Sequence, residues 1–246
     1  MSNDVIRVAP LHMADEVIIR QSQPQLTYRN GPLLNNVQIF TIFWGSQWGT
    51  DSALVQLASE INQFFDDILV SPLIDQLAEY DTNGVSIGQG DRIGTLVLTQ
   101  PALHKSITDY GIQQQLAHLI SSQQVPQPTP NTLYFFYLPP GVVSRDGRDA
   151  SCKTYCGYHN STPNGVYYAV MPYPGCQGCL GGLSILDALT ATSSHEMCEA
   201  ITDPVPGKGW YDDQNGEIGD ICAWKFKQVG SHTVQQEWSN QHGQCM

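Results

Sequence analysis

Positive charge is scarce in this chain. Eleven Lys and Arg stand against 23 Asp and Glu among 246 residues, and they form no cluster. A net charge of −12 without a basic patch argues against a nucleic-acid partner or an anionic membrane surface. No apolar run reaches the ~18–20 residues that a membrane-spanning helix needs. The opening "MSNDVIRVAPLHMADEVIIR" has no continuous apolar stretch and no small-residue cleavage site, so it does not read as a signal peptide. Internal repeats are absent. The one Pro-rich connection, "QQVPQPTPN", is too short to separate domains. With 41% hydrophobic residues the chain fills one sizeable core. The expectation is an irregular segment over residues 1–30 and a single domain over 31–246.

Cysteine, by contrast, is plentiful. Cys152 and Cys156 form "CKTYC", and Cys176 and Cys179 form "CQGC", both in Gly- and Pro-rich surroundings; Cys198, Cys222 and Cys245 follow. Close pairs of this kind belong to disulfide frameworks or to structural zinc sites. No finger or ribbon pattern surrounds them, so disulfides are expected. Close spacing suggests bridges within 152/156 and within 176/179. A third joins Cys222 to Cys245, on either side of the expected last strand, and leaves Cys198 free. Disulfides imply an oxidising compartment, hence an extracellular protein whose leader is not visible here.

Helical and strand patterns alternate. "NVQIFTIFWG" (36–45), "GTLVLT" (94–99), "TLYFFYLP" (132–139) and "GVYYAVMPY" (165–173) are β-branched and aromatic and read as strands. "HTVQQEW" (232–238) reads as a last strand. Leu54, Leu57, Ala58, Ile61, Phe64, Phe65 and Ile68 recur at three and four residues, so they mark an amphipathic helix with Thr50 or Asp51 as its N-cap. "SPLIDQLAEY" and residues 106–121 are further helices. The class is a single α/β domain around a mixed sheet.

The chemistry concentrates in "SSHEMCEAITDP" (193–204), on a helix expected from about Gly182 to Thr202. His195 and Glu199 are four residues apart and project side by side. Ala188 and Thr192 continue that stripe with small residues and leave room for something to approach. An exposed His–Glu pair is the ordinary reading of such spacing. Here, however, Glu196 follows His195 as the general base follows the first ligand in the zinc motif H-E-x-x-H. A dense acidic loop then supplies Asp212, Asp213, Glu217 and Asp220, and Asp203 ends the helix. Zinc accepts carboxylate as well as imidazole ligands. Extra carboxylates also suit Ca²⁺, so "DDQNGEIGD" admits a calcium loop without EF-hand spacing.

"SSHEMCEAITDP…GWYDDQNGEIGDICAW" resembles a widespread, mostly bacterial group of secreted proteins with a zincin-like metallopeptidase motif. "LTYRNGPLLNNVQIFTIFWG" and "YCGYH" (155–159) resemble stretches of the phosphate-induced, EXORDIUM-like proteins of plants. The first resemblance implies a zincin-like fold and a zinc-dependent peptidase with a variant HExxE helix. His195 and Glu199 hold zinc, Glu196 is the base, and an acidic residue downstream, Glu217 or Asp220, is the third ligand. His159 lines the cleft or supplies that ligand instead. Asp203 orients a ligand or caps the loop. Tyr211 donates to the oxyanion or anchors the loop. "GVYYAVMPY" is either a sheet edge that pairs with a peptide substrate or an ordinary core strand. The competing expectation is a non-enzymatic extracellular protein with a structural or calcium-binding acidic site.

Overall fold

A computed structural model describes residues 8–12, 23–82 and 84–246. In chain order the strands are β1 (Val8–Pro10), β2 (Thr27–Tyr28), β3 (Asn36–Trp44), β4 (Gly88–Leu98), β5 (Ser106–Thr108), β6 (Thr132–Tyr137), β7 (Val143–Asp146), β8 (Asp149–Ala150), β9 (Tyr155–Ser161), β10 (Tyr167–Met171), β11 (Trp210–Tyr211), β12 (Phe226–Val229), β13 (His232–Gln235), β14 (Trp238–Ser239) and β15 (Gln244–Cys245). The helices are α1 (Gln47–Thr50), α2 (Ser52–Ile68), α3 (Pro72–Gln76), α4 (Asp109–Ser121), α5 (Gln177–Leu180) and α6 (Ile185–Thr202). Most expected elements agree in kind and differ at their ends, but the helix expected over 106–121 begins only at Asp109, after strand β5.

The main sheet runs β1-β9-β10-β6-β3-β4. β10, β6, β3 and β4 are mutually parallel, and β9 and then β1 add antiparallel neighbours, so the sheet is mixed. Strand alternation divides the core. Ile39 and Phe43 of β3 with Phe135 and Tyr137 of β6 pack under α2, α3 and α6. Phe40, Ile42, Tyr134 and Phe136 face the other way, onto Ile112, Leu116 and Leu119 of α4. All six residues of β6 are buried, as befits a parallel strand covered on both faces. Asp51 caps α2 by accepting from the Ala53 and Leu54 N–H groups.

Three expectations need correction. β10 is no sheet edge, because β9 and β6 flank it. The segment 1–30 is not wholly irregular, because Val8–Pro10 joins the main sheet and Thr27–Tyr28 pairs with β11; its remaining residues before Gln23 lie outside those described, apart from Leu11 and His12. "HTVQQEW" is not one strand either. β13 stops at Gln235 after pairing with β12 in a hairpin, and Trp238 opens a separate pair with β15.

Three disulfides are present. Cys222–Cys245 is as expected, and Cys198 is free and buried. The other two are Cys152–Cys176 and Cys156–Cys179, and not the bridges within each close pair. Cys152 and Cys156 straddle the turn that enters β9, while Cys176 caps α5 and Cys179 lies within it. The two segments lie against each other, so each cysteine meets a partner across the gap. Bridges spanning 24 and 23 residues constrain the unfolded chain by about 3 kcal/mol each on the loop-entropy account, against about 2 for a four-residue loop.

Candidate metal centre

Helix α6 carries the motif across the sheet face, packed against β9, β10, α2 and β13. Its N-cap Ser184 accepts from the Asp187 N–H. From Ser193 to Thr202 every residue is buried, polar ones included. The exposed His–Glu pair of the ordinary reading is therefore not what forms. His195, Glu196, Glu199, His159 and Glu217 all have zero exposure. Burying so many ionisable groups is costly unless they pair or hold an ion.

His195 Nε2 stands 3.1 Å from Glu199 Oε1. The Asp220 N–H donates to the same Glu199 oxygen at 3.1 Å, and Asp220 Oδ2 accepts from the Glu217 N–H at 3.0 Å. His195, Glu199 and Asp220 each offer one ligand atom, all within 4.8 Å of one another. His195 Nε2, Glu199 Oε2 and Asp220 Oδ1 are enclosed and have no hydrogen-bond partner. Unpartnered donor atoms of one imidazole and two carboxylates fit a divalent cation. Asp220, of the two acidic residues expected downstream, is the one brought to His195 and Glu199.

Glu217 turns toward His159, 3.5 Å from its Nε2. His159, from β9, donates from Nδ1 to Glu196 Oε2 at 3.1 Å and from Nε2 to the Asp203 carbonyl at 3.2 Å. His159, Glu196 and Glu199 also lie close enough to hold an ion. Both His159 nitrogens and both Glu196 oxygens already have partners, the second Glu196 oxygen accepting from the Ala9 N–H at 3.0 Å. That trio is thus a hydrogen-bonded support beside the His195 group.

The charges follow from this packing. Burial disfavours a charged His159, but the hydrogen bonds and charges of Glu196 and Glu199 outweigh it and push its pKa up to about 10. Burial likewise opposes a charged His195, and Glu199 overrides it. Burial would raise Glu199; His195 and His159 instead bring it down to about 2. Burial raises Glu196 despite His159. Glu217 and Asp220 are pushed well up, by burial first and then by the charge of Glu199.

Two residues without a sequence signal complete the site. Gln235 Nε2 lies 2.8 Å from His195 Nδ1 and donates to the Gly219 carbonyl at 2.9 Å. Its amide orientation is linked to the protonation of His195. Nitrogen toward Nδ1 suits a neutral imidazole protonated on Nε2, whereas oxygen toward Nδ1 suits imidazolium or a metal-bound ring. Gly219 is the second. A Cβ there would stand 2.6 Å from His195 Nδ1 and 2.9 Å from Glu199 Oε1, so only glycine lets the acidic loop approach the helix.

The acidic loop divides its work. Asp212 accepts from the Gln25, Gln214 and Asn215 N–H groups, and Asp213 pairs with Arg29 at 2.6 Å. Those two carboxylates are bound up in the loop, while Glu217 and Asp220 face α6. Asp203 caps the turn that follows α6, accepting from the Gly207, Lys208 and Gly209 N–H groups, and its carbonyl orients His159. Tyr211 is an anchoring aromatic: it pairs with Thr27 in the β2–β11 ladder, and the Arg29 guanidinium lies 4.6 Å above its ring.

No protein-family model and no curated protein matches this chain.

Proposed function

We propose that the chain is a zinc-dependent peptidase. The observation that carries this reading is the trio of enclosed, unpartnered donor atoms, His195 Nε2, Glu199 Oε2 and Asp220 Oδ1, directly beside a buried Glu196. These three residues hold the metal. The imidazole among these ligands favours zinc over calcium, which prefers oxygen ligands throughout. When bound, zinc supplies Lewis acidity that polarises a carbonyl and acidifies water.

Glu196 takes the proton of the attacking water as the new C–O bond forms. It delivers that proton to the amide nitrogen as the C–N bond breaks. Burial lifts its pKa toward the range in which a carboxylate can both accept and return a proton. His159 holds one Glu196 oxygen and fixes the carboxylate's direction. Three disulfides fit an oxidising, extracellular setting. Among the described residues no helix is long and apolar enough to cross a membrane.

Glu196→Gln separates chemistry from metal binding. In zinc-loaded protein assayed on a mixed peptide library, cleavage should fall at least ~10²-fold, the lower end for acid–base catalysis, at unchanged zinc content. A variant that cuts as fast as its parent removes Glu196 from the reaction. One that loses the metal makes Glu196 a ligand.

A further inference from the structure

The candidate site is sealed, and part of the seal is the chain's own edge strand. β1 runs antiparallel to β9, with Val8 opposite Tyr158, Ala9 opposite Gly157 and Pro10 opposite Tyr155. It fills the edge of the sheet beside α6. From there the Ala9 N–H reaches Glu196 Oε1 at 3.0 Å, across 187 positions of sequence. The carboxylate given the role of base is therefore occupied by a backbone donor from an extended segment.

The fit around Ala9 is close. A Cβ on Gly157, the residue opposite, would stand 2.7 Å from Thr192 Cγ2, 2.9 Å from Met171 Cε and 3.4 Å from Glu196 Oε1. Strand β9 and helix α6 thus nearly touch at this point. Ala9 borders a small recess of about 10 Å³ that Ala188, Ala191, Thr192 and Gln235 also line. That is room for about one water, so β1 closes over the small-residue stripe of α6 and nearly fills the space along it.

Among the described residues the attachment is short. The ladder is three residues long, shifts register between Ala9 and Pro10, and includes a proline that cannot donate. Further ties among the described residues include the Trp224 indole N–H to the Pro10 carbonyl at 3.0 Å, the His12 N–H to the Gly178 carbonyl at 2.7 Å, and the His12 ring against Trp224.

We infer that Val8–Pro10 is a displaceable plug, an internal peptide lying extended where a substrate peptide is cut, which keeps the site closed until it leaves. This rests on the peptidase reading. The substrate it mimics is an extended chain paired antiparallel to Tyr155–Tyr158, with a small side chain opposite Gly157.

Two full-length variants test it. Ala9→Glu places a carboxylate against the apolar recess and Glu196. Trp224→Phe keeps an aromatic ring, a smaller one, and removes the donor to Pro10. The probe is a fluorescent peptide, IRVAPLH, copied from residues 6–12. Apparent affinity scales with the open fraction, so both variants should bind it at least ~10-fold more tightly than the parent does. Zinc-loaded variants should cleave library peptides faster by a similar factor, and free IRVAPLH should inhibit them. Tighter binding with no hydrolysis in any form supports the plug and removes the peptidase reading. Hydrolysis equal in parent and variants, without tighter binding, keeps the peptidase reading and overturns the plug. Loss of folding in both variants makes β1 a fixed part of the sheet and also overturns it.

Discussion

At the scale of single residues, the candidate site depends as much on what supports His195, Glu199 and Asp220 as on those three side chains. Gly219 leaves room for His195 and Glu199 to meet the acidic loop. Gly219→Ala should keep the fold and lose most of the bound zinc in an equilibrium titration; full occupancy in that variant would place the metal elsewhere. Gln235 lies against His195 Nδ1 and holds the ring in place. Gln235→Leu should weaken zinc binding ~10–100-fold, the usual cost of losing the partner of a ligating histidine, with little change in thermal unfolding of the metal-free protein. His195, Glu196 and Glu199 were legible in the sequence because their spacing on a helix is itself the signal. Gly219 and Gln235 were not. A glycine in a Gly-rich loop and a glutamine on a strand look alike whether or not a histidine lies across from them. The choice between Asp220 and Glu217 also required the fold, because three residues of irregular backbone send them to different partners.

At the scale of elements, α6 is unusual for a helix lying on a sheet. Its polar residues point inward, onto β9 and the acidic loop, so its sequence has the pattern of a small-residue helix and not of an amphipathic one. The turn after it depends on Asp203. Asp203→Ala would strand three backbone N–H groups and should cost ~1–3 kcal/mol or more in urea denaturation, since each unsatisfied buried donor carries a penalty of that order. A midpoint within error of the parent's would show that water replaces the carboxylate. β3, β4, β6 and β10 and the long helices packed on them were legible because their apolar periodicity is strong, whereas β9, in the cysteine-rich stretch, was not. β1 was not either. Three residues are too few for a period, and what places them is the edge of β9. The cysteine pairing was hidden for the same reason, since spacing along the chain does not say which segments dock.

At the scale of the whole molecule, the buried carboxylates couple stability to pH. Without metal, burial keeps protons on Glu217, Asp220 and Glu237 in the folded state that the unfolded chain releases in the ordinary carboxylate range. His159 adds a further proton, held up to about 10 when folded and released near ~6.5 when unfolded. The folded state thus binds more protons, so the stability these groups confer is complete at low pH and is lost as pH rises through their folded pKa values. Glu199 has the opposite sign, at about 2 when folded, but its effect is spent below the ordinary carboxylate pKa. Metal-free protein should therefore melt lower at pH 9 than at pH 6. Zinc-loaded protein should show a growing advantage over the metal-free form across the same interval, because ligation requires deprotonated groups. Identical pH profiles for the two forms would detach the metal from this cluster.

The central claim is that α6 and the acidic loop hold a zinc ion, and elemental analysis of protein purified without added metal tests it most directly. The account predicts close to one equivalent of zinc in the parent and little in His195→Ala, with both proteins folded. Full zinc occupancy in His195→Ala, or calcium or no metal in the parent, would contradict it.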